Sequence, residues 1–238
     1  MNIGLLLCDD VHPKLQKIYG NYPEMFATLL QQVEPSIELT TWRLIDMEFP
    51  SSVDECDGWI ISGSKHGAND DLPWIAPLEA FVRVVFEQKK KLVGICFGHQ
   101  IIAKALGGEV ARSDKGWGVG ISDNQIYEHP FWMKPDRDNF KLLVSHQDQV
   151  LDVPEMGRII AGSVFCPAYM IQYDDCLLGI QGHPEFFREF SKSLMSLRRD
   201  LIGKQTTEIG LKSLSKAHEG ALVAQWMVQF LRNNTTHF

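Results

Sequence analysis

Cys96 stands in the run Val93-Gly94-Ile95-Cys96-Phe97-Gly98-His99-Gln100. Glycines two before and two after it give the G-x-nucleophile-x-G spacing of a nucleophile elbow, where the reactive residue sits on a strained turn and neighbouring side chains must be absent. A cysteine hydrolase also needs an imidazole to shuttle protons, a third group to orient that imidazole, and N–H donors for an oxyanion. The run Gly179-Ile180-Gln181-Gly182-His183-Pro184-Glu185-Phe186 offers the first two. Glu185, two residues beyond His183 across a stiffening proline, can fold back to a ring nitrogen and set the tautomer. Each motif alone has a plainer reading. Cys96 could be a small buried hydrophobe, and His183-Pro184-Glu185 could be a helix start with its acid favoured by the dipole. A metal site is the weakest reading, since one His and one Glu lack further ligands at a recognised spacing.

These residues need elements to position them. Lysines 89–91 open a short apolar run that ends at Cys96, and a helical pattern closed by Gly107-Gly108 follows from Gly98. Strand, tight turn and helix are therefore expected, with the helix directing unpaired N–H groups and its positive end at the sulfur and favouring the thiolate. Upstream, strands are expected over 3–7, 37–44 and 58–62 and helices over 23–33 and 73–88. The loop 63–71 after the third strand is more polar than a connection requires, and carboxyl ends of parallel strands are where such proteins place their sites. From Gly108 onward the candidate strands 118–127, 140–145, 158–162, 168–173 and 176–181 follow one another with few helices between them. The pattern is that of an α/β protein with a largely parallel sheet and an antiparallel flank. An amphipathic helix over 186–201, a weakly patterned polar segment 202–220 and a last helix over 222–232 complete the chain. Residues 1–200 are expected to form one domain, with 201–238 a helical extension packed on it.

Composition narrows the setting. At 238 residues, with 45% hydrophobic and 22% charged, the chain reads as an ordinary globular protein, and no window approaches a membrane span. The net charge of −7 argues against a nucleic-acid partner. Met1 to Leu7 reads as a first strand, not as a signal peptide. Five cysteines in no C-x-x-C spacing suggest reduced thiols, a cytoplasmic location and no structural zinc.

Taken together and in order, Gly94-Ile95-Cys96-Phe97-Gly98-His99-Gln100 and Gln181-Gly182-His183-Pro184-Glu185 resemble the class I (triad) glutamine amidotransferase family, over roughly residues 40–190. The resemblance implies a flavodoxin-like three-layer sandwich with helices on both faces of a mostly parallel central sheet and no cofactor. It implies that Cys96 attacks a γ-glutamyl carbonyl, His183 serves as base and then acid, and Glu185 orients it. Backbone N–H groups of Gly63 and Phe97 would hold the oxyanion, and Gln100 and Gln181 would position the glutamyl moiety. Gly63-Ser64-Lys65 replaces the glycine pair and proline of many members. With Asn69-Asp70-Asp71-Leu72-Pro73-Trp74-Ile75 it looks closer to the stand-alone branch similar to plant γ-glutamyl peptidases. Ser145-His146-Gln147-Asp148-Gln149-Val150 resembles a segment of GMP-synthase-type domains, in which His146 would line the approach to the site; otherwise His146 is a hydrogen-bonded structural residue. Lys65 and His66 are either contacts for a substrate carboxylate or solvated loop residues. His99 reads as structural. His12, His129, His218, His237 and the other four cysteines have no supporting context.

Three functions fit these residues. The first is a stand-alone hydrolase of a small-molecule γ-glutamyl compound. The second is a glutaminase subunit passing ammonia to a separate synthetase partner, and the third is a redox-sensing protein with an oxidisable elbow cysteine. A homo-oligomer is compatible with each. The moiety beyond the γ-glutamyl half is expected to meet the 64–72 loop, the 8–22 loop and the C-terminal extension.

Overall fold

The computed structural model describes residues 1–233, so His237 lies outside the described residues. Strand β1 (Asn2–Leu7) is followed by α1 (Pro13–Tyr19), α2 (Tyr22–Val33), β2 (Glu38–Arg43), β3 (Gly58–Ile61), α3 (Ile75–Glu87), β4 (Leu92–Ile95) and α4 (Phe97–Ala105). Then come β5 (Glu109–Arg112), β6 (Gly118–Ile126), β7 (Asn139–His146), β8 (Asp148–Asp152), β9 (Gly157–Gly162), β10 (Met170–Tyr173) and β11 (Leu177–Ile180). Helices α5 (Arg188–Leu197), α6 (Arg199–Ile202), α7 (Lys204–Ser213) and α8 (Gly220–Arg232) close the described chain.

Among the described residues, nine strands form one sheet in the order β2-β1-β3-β4-β11-β10-β9-β6-β7. The first five are mutually parallel and the pairs from β11 outward are antiparallel. Alternation along β1 explains the layering. Ile3, Leu5 and Leu7 face one apolar cluster with Phe26 of α2 and Trp226 of α8, while Leu6 faces the other with Leu78 of α3 and Ile101 of α4. Strands β3, β4 and β11 at the centre are buried on both faces, which is why they read as continuous apolar runs.

The expected helix over 186–201 is two pieces, α5 and α6, joined at Arg198. Four elements were not expected. Helix α7 lies inside the segment that reads as polar because it packs through Thr207 and Gly210 in place of a bulky stripe. At Gly210 the Cβ position is 2.8 Å from Val119 of β6, so a small residue is what the contact allows. Helix α1 spans only seven residues and buries Leu15 alone. Strands β5 and β8 pair with each other, outside the main sheet, and are too short to show alternation.

Candidate active site

Strands β3, β4 and β11 are neighbours and end at one edge of the sheet. Ile61 pairs with Gly94 and Ile95 with Ile180, so Ser62–Gly63, Cys96 and Gln181–His183 leave the sheet side by side. Parallel register, not sequence proximity, makes these segments converge.

Cys96 has φ 52° and ψ −97°, in the region L side chains avoid. Its N–H donates to the Ile180 carbonyl at 2.8 Å and its carbonyl accepts from Gln100 at 3.2 Å, which holds the strained residue on both sides. The flanking glycines are sterically required. A Cβ at 94 would lie 2.4 Å from the Gly98 carbonyl oxygen, and one at 98 would lie 2.6 Å from that of Ile61. Helix α4 then starts at Phe97 and turns its first free N–H groups towards the sulfur.

His183 donates its backbone N–H to Leu143 at 2.8 Å, and its Nδ1 lies 2.7 Å from Glu185 Oε1. With Nδ1 engaged by the carboxylate, the imidazole and the Cys96 side chain pack side by side against Gly63. The ring lies flat on Phe186, with centroids 3.9 Å apart and planes 8° from parallel. Cys96, His183 and Glu185 are each 4% exposed. Burial alone would push the imidazole pKa down; the Glu185 carboxylate, and after it the charge on Cys96, outweigh burial and raise it from the ordinary histidine value to about 10. The arrangement can therefore keep a proton on the imidazole at neutral pH beside the Cys96 sulfur.

The remaining sequence candidates fall around these three. The Cβ position of Gly63 lies 2.8 Å from His183 Cε1 and 3.7 Å from Cys96 Cβ, so its backbone is directly against both side chains. Gly63→Val is expected to displace the imidazole and lower kcat by about 10²-fold or more with little change in fold; steady-state kinetics with circular dichroism checks this. Phe97 packs its ring on Trp74 at 5.4 Å and lines the cleft. Gln181 donates to the Cys96 sulfur at 3.5 Å, and Gln100 donates to Gln181 Oε1 at 3.2 Å and to the Asp148 carbonyl at 2.9 Å. Gln100 lines the cleft, whereas Gln181 is fully buried and reaches the site through the sulfur. His146 also lines the cleft. Burial pushes its pKa down to about 4, and Nδ1–H donates to the Asp148 carbonyl at 3.1 Å, so the ring is neutral. His99 is a fully buried packing residue, pushed down to about 3 by burial.

The cleft in front of Cys96 has a volume of about 460 Å³. Its walls are Ser64 to Gly67 and Asp70 on one side, and Arg112, Trp117, Ser145 to Asp148, Arg198 and Leu201 on the other. The 8–22 loop, expected to line it, instead supports the 64–66 loop from behind. Asp9, 4% exposed, accepts from the Lys65 N–H at 2.9 Å and from Lys65 Nζ at 2.7 Å, and Ser64 Oγ donates to the Cys8 carbonyl at 3.0 Å. Lys65 is thus held in an ion pair and His66 lies 3.7 Å from Asp70. Among the described residues, the C-terminal extension does not line the cleft beyond Leu201. The wall that sequence reasoning missed is the β5–β8 ribbon and Trp117, and the only signal for it was the Ser-His-Gln-Asp-Gln-Val run.

Five cysteines, all buried, are free thiols. Among the described residues no helix is long and apolar enough to cross a membrane.

The class-I glutamine amidotransferase family profile matches residues 18–196, a wider span than the motifs alone suggest. Gamma-glutamyl peptidase 4 of Arabidopsis thaliana is 35% identical over 181 residues, covering 73% of this chain and 71% of that protein. Gamma-glutamyl peptidase 3 of the same plant is 35% identical over 193 residues, covering 78% and 76%. A solved structure of a glutamine amidotransferase from Thermotoga maritima superposes with a TM-score of 0.78 over 97% of this chain and 98% of that one, at 16% identity, a likeness of fold. By profile, by identity to its relatives and by architecture, the chain belongs to the class-I glutamine amidotransferase family.

Proposed function

We propose that the protein is a stand-alone cysteine hydrolase of the γ-glutamyl amide bond in a small γ-glutamyl compound. The observation that carries this reading is the buried group Cys96, His183, Glu185, in which one imidazole lies 2.7 Å from the carboxylate and beside the Cys96 side chain, both packed against Gly63. The Cys96 thiolate attacks the γ-carbonyl carbon, and the oxyanion is received by the backbone N–H groups of Gly63 and Phe97. As the C–N bond breaks, His183 gives its proton to the departing nitrogen, leaving a γ-glutamyl thioester and a free amine. His183, now neutral, takes a proton from water as its oxygen attacks the thioester; the C–S bond breaks, and glutamate leaves. Glu185 keeps the imidazole oriented and stabilises its charge at both stages. Gln100 and His146 face the bound glutamyl group from the cleft wall. Gln181, hydrogen-bonded to the sulfur, positions the nucleophile.

The 35% identical relatives named γ-glutamyl peptidases support a γ-glutamyl compound as substrate over glutamine bound for a synthetase. Free glutamate is measured after the pure protein is incubated with glutamine, γ-glutamyl amines and γ-glutamyl dipeptides. Release from a larger γ-glutamyl compound by the protein alone is expected. Glutamate released from glutamine only after a synthetase is added would replace this reading with that of an ammonia-supplying subunit. No release, together with reversible oxidation of Cys96, would replace it with that of a redox sensor.

A further inference from the structure

The loop between α7 and α8 carries His218, a residue for which the sequence supplied no role. Its Nε2 lies 2.9 Å from the Phe186 carbonyl oxygen, which makes Nε2–H the donor. Phe186 is the residue whose ring lies flat under His183, 3.9 Å away, with Phe190 edge-on to it at 4.7 Å and Tyr22 beyond at 6.4 Å. The helix that follows is pressed onto the same turn, since a Cβ at Gly220 would lie 2.4 Å from the Pro184 carbonyl oxygen. Arg188 reaches back to the Lys216 carbonyl at 2.7 Å, and Glu219 exchanges bonds with Lys141 at 2.8 and 2.9 Å. The turn from Pro184 to Arg188 is therefore packed by Gly220 at one end and tied through the Arg188 side chain at the other, and His218 bonds the backbone at its centre.

We propose that His218 is a positioning residue for the triad: by anchoring the Phe186 carbonyl it holds the Phe186 ring flat against the His183 imidazole, so the C-terminal extension maintains the proton carrier of the site. The proposal rests on the hydrolase reading above. A flat aromatic face under an imidazolium fixes the ring's plane and stabilises its charge. His218 acts through Phe186 and touches no substrate; it lines a separate cavity of about 360 Å³ behind Glu185. Burial pushes its pKa down, which leaves the ring neutral and able to donate from Nε2 alone. The charged and titratable groups around the His183–Phe186 pair are Glu185, Cys96, His146 and Tyr22, and those around His218 are Arg188, Glu185 and Glu219.

The test compares His218→Phe, which keeps a ring but removes the donor, with His218→Gln, whose amide can donate to the same carbonyl. Phe186→Leu, which removes the stacked face, is the third variant. Wild type and Cys96→Ala are assayed alongside on the active substrate of the panel, so loss of the hydrolase reading is scored separately by full activity in Cys96→Ala. His218→Phe is expected to lower kcat about tenfold with KM unchanged and to move the alkaline limb of the kcat/KM profile down by about half a pH unit. His218→Gln is expected to stay within about threefold of wild type, and Phe186→Leu to move the limb at least as far as His218→Phe. An unmoved limb in Phe186→Leu, or equal loss in His218→Gln and His218→Phe, overturns the proposal. If His218→Phe does not fold, the Phe186→Leu limb and the His218→Gln rate decide it.

Discussion

Cys96→Ala is expected to lower glutamate release from a γ-glutamyl substrate by about 10³-fold or more while leaving the circular dichroism spectrum that of the wild type. Loss of the sulfur leaves no covalent route, because the other four thiols are buried away from the cleft wall. Stability should survive, since Cys96 is fixed by its backbone: the strained φ of 52° is held by hydrogen bonds through its own N–H and carbonyl, which alanine keeps. His183→Ala should cost about as much, because triad members act as a unit. Glutamate release by Cys96→Ala at the wild-type rate, with mass spectrometry showing no contaminating enzyme, would refute the thioester route.

Glu185→Gln should give the next largest loss, about 10² to 10⁴-fold in kcat, together with a changed pH profile. The amide oxygen can still accept from His183 Nδ1, so orientation is retained while the charge is lost. That charge is the chief influence raising the imidazole against burial. Without it burial prevails, and the alkaline limb should fall by at least about two pH units from the wild-type position near 10. The same charge has a stability signature. A histidine whose folded pKa is raised from 6.5 to about 10 stabilises the fold fully below about 6.5, and that contribution fades as pH climbs through about 10. The gap in denaturation midpoint between wild type and Glu185→Gln should therefore be widest near pH 6 and narrow towards pH 10. A gap of equal size at both ends would refute the electrostatic account and leave only packing.

The elements nearest the chemistry were the easiest to read, for a physical reason. Strands β3, β4 and β11 are buried on both faces and must be apolar throughout, and the turn at Cys96 admits only glycine at 94 and 98. Such positions have almost no freedom of residue type. Elsewhere the same reasoning failed where burial is slight or made by small groups. Helix α7 packs through Thr207 and Gly210, and β5 and β8 are short strands paired only with each other. None of these leaves an apolar period in the chain.

That Cys96, His183 and Glu185 belong to one site was legible in the linear order, because their neighbours are constrained by backbone geometry that acts over a few residues. What stands around them was not. The anchoring of Lys65 by Asp9, the burial of Gln181 behind the sulfur and the hold of His218 on Phe186 join residues 56, 85 and 32 positions apart. Local sequence carries no trace of such pairs, because they exist only once parallel pairing has brought the strand ends together and the last helix has closed on the turn after His183.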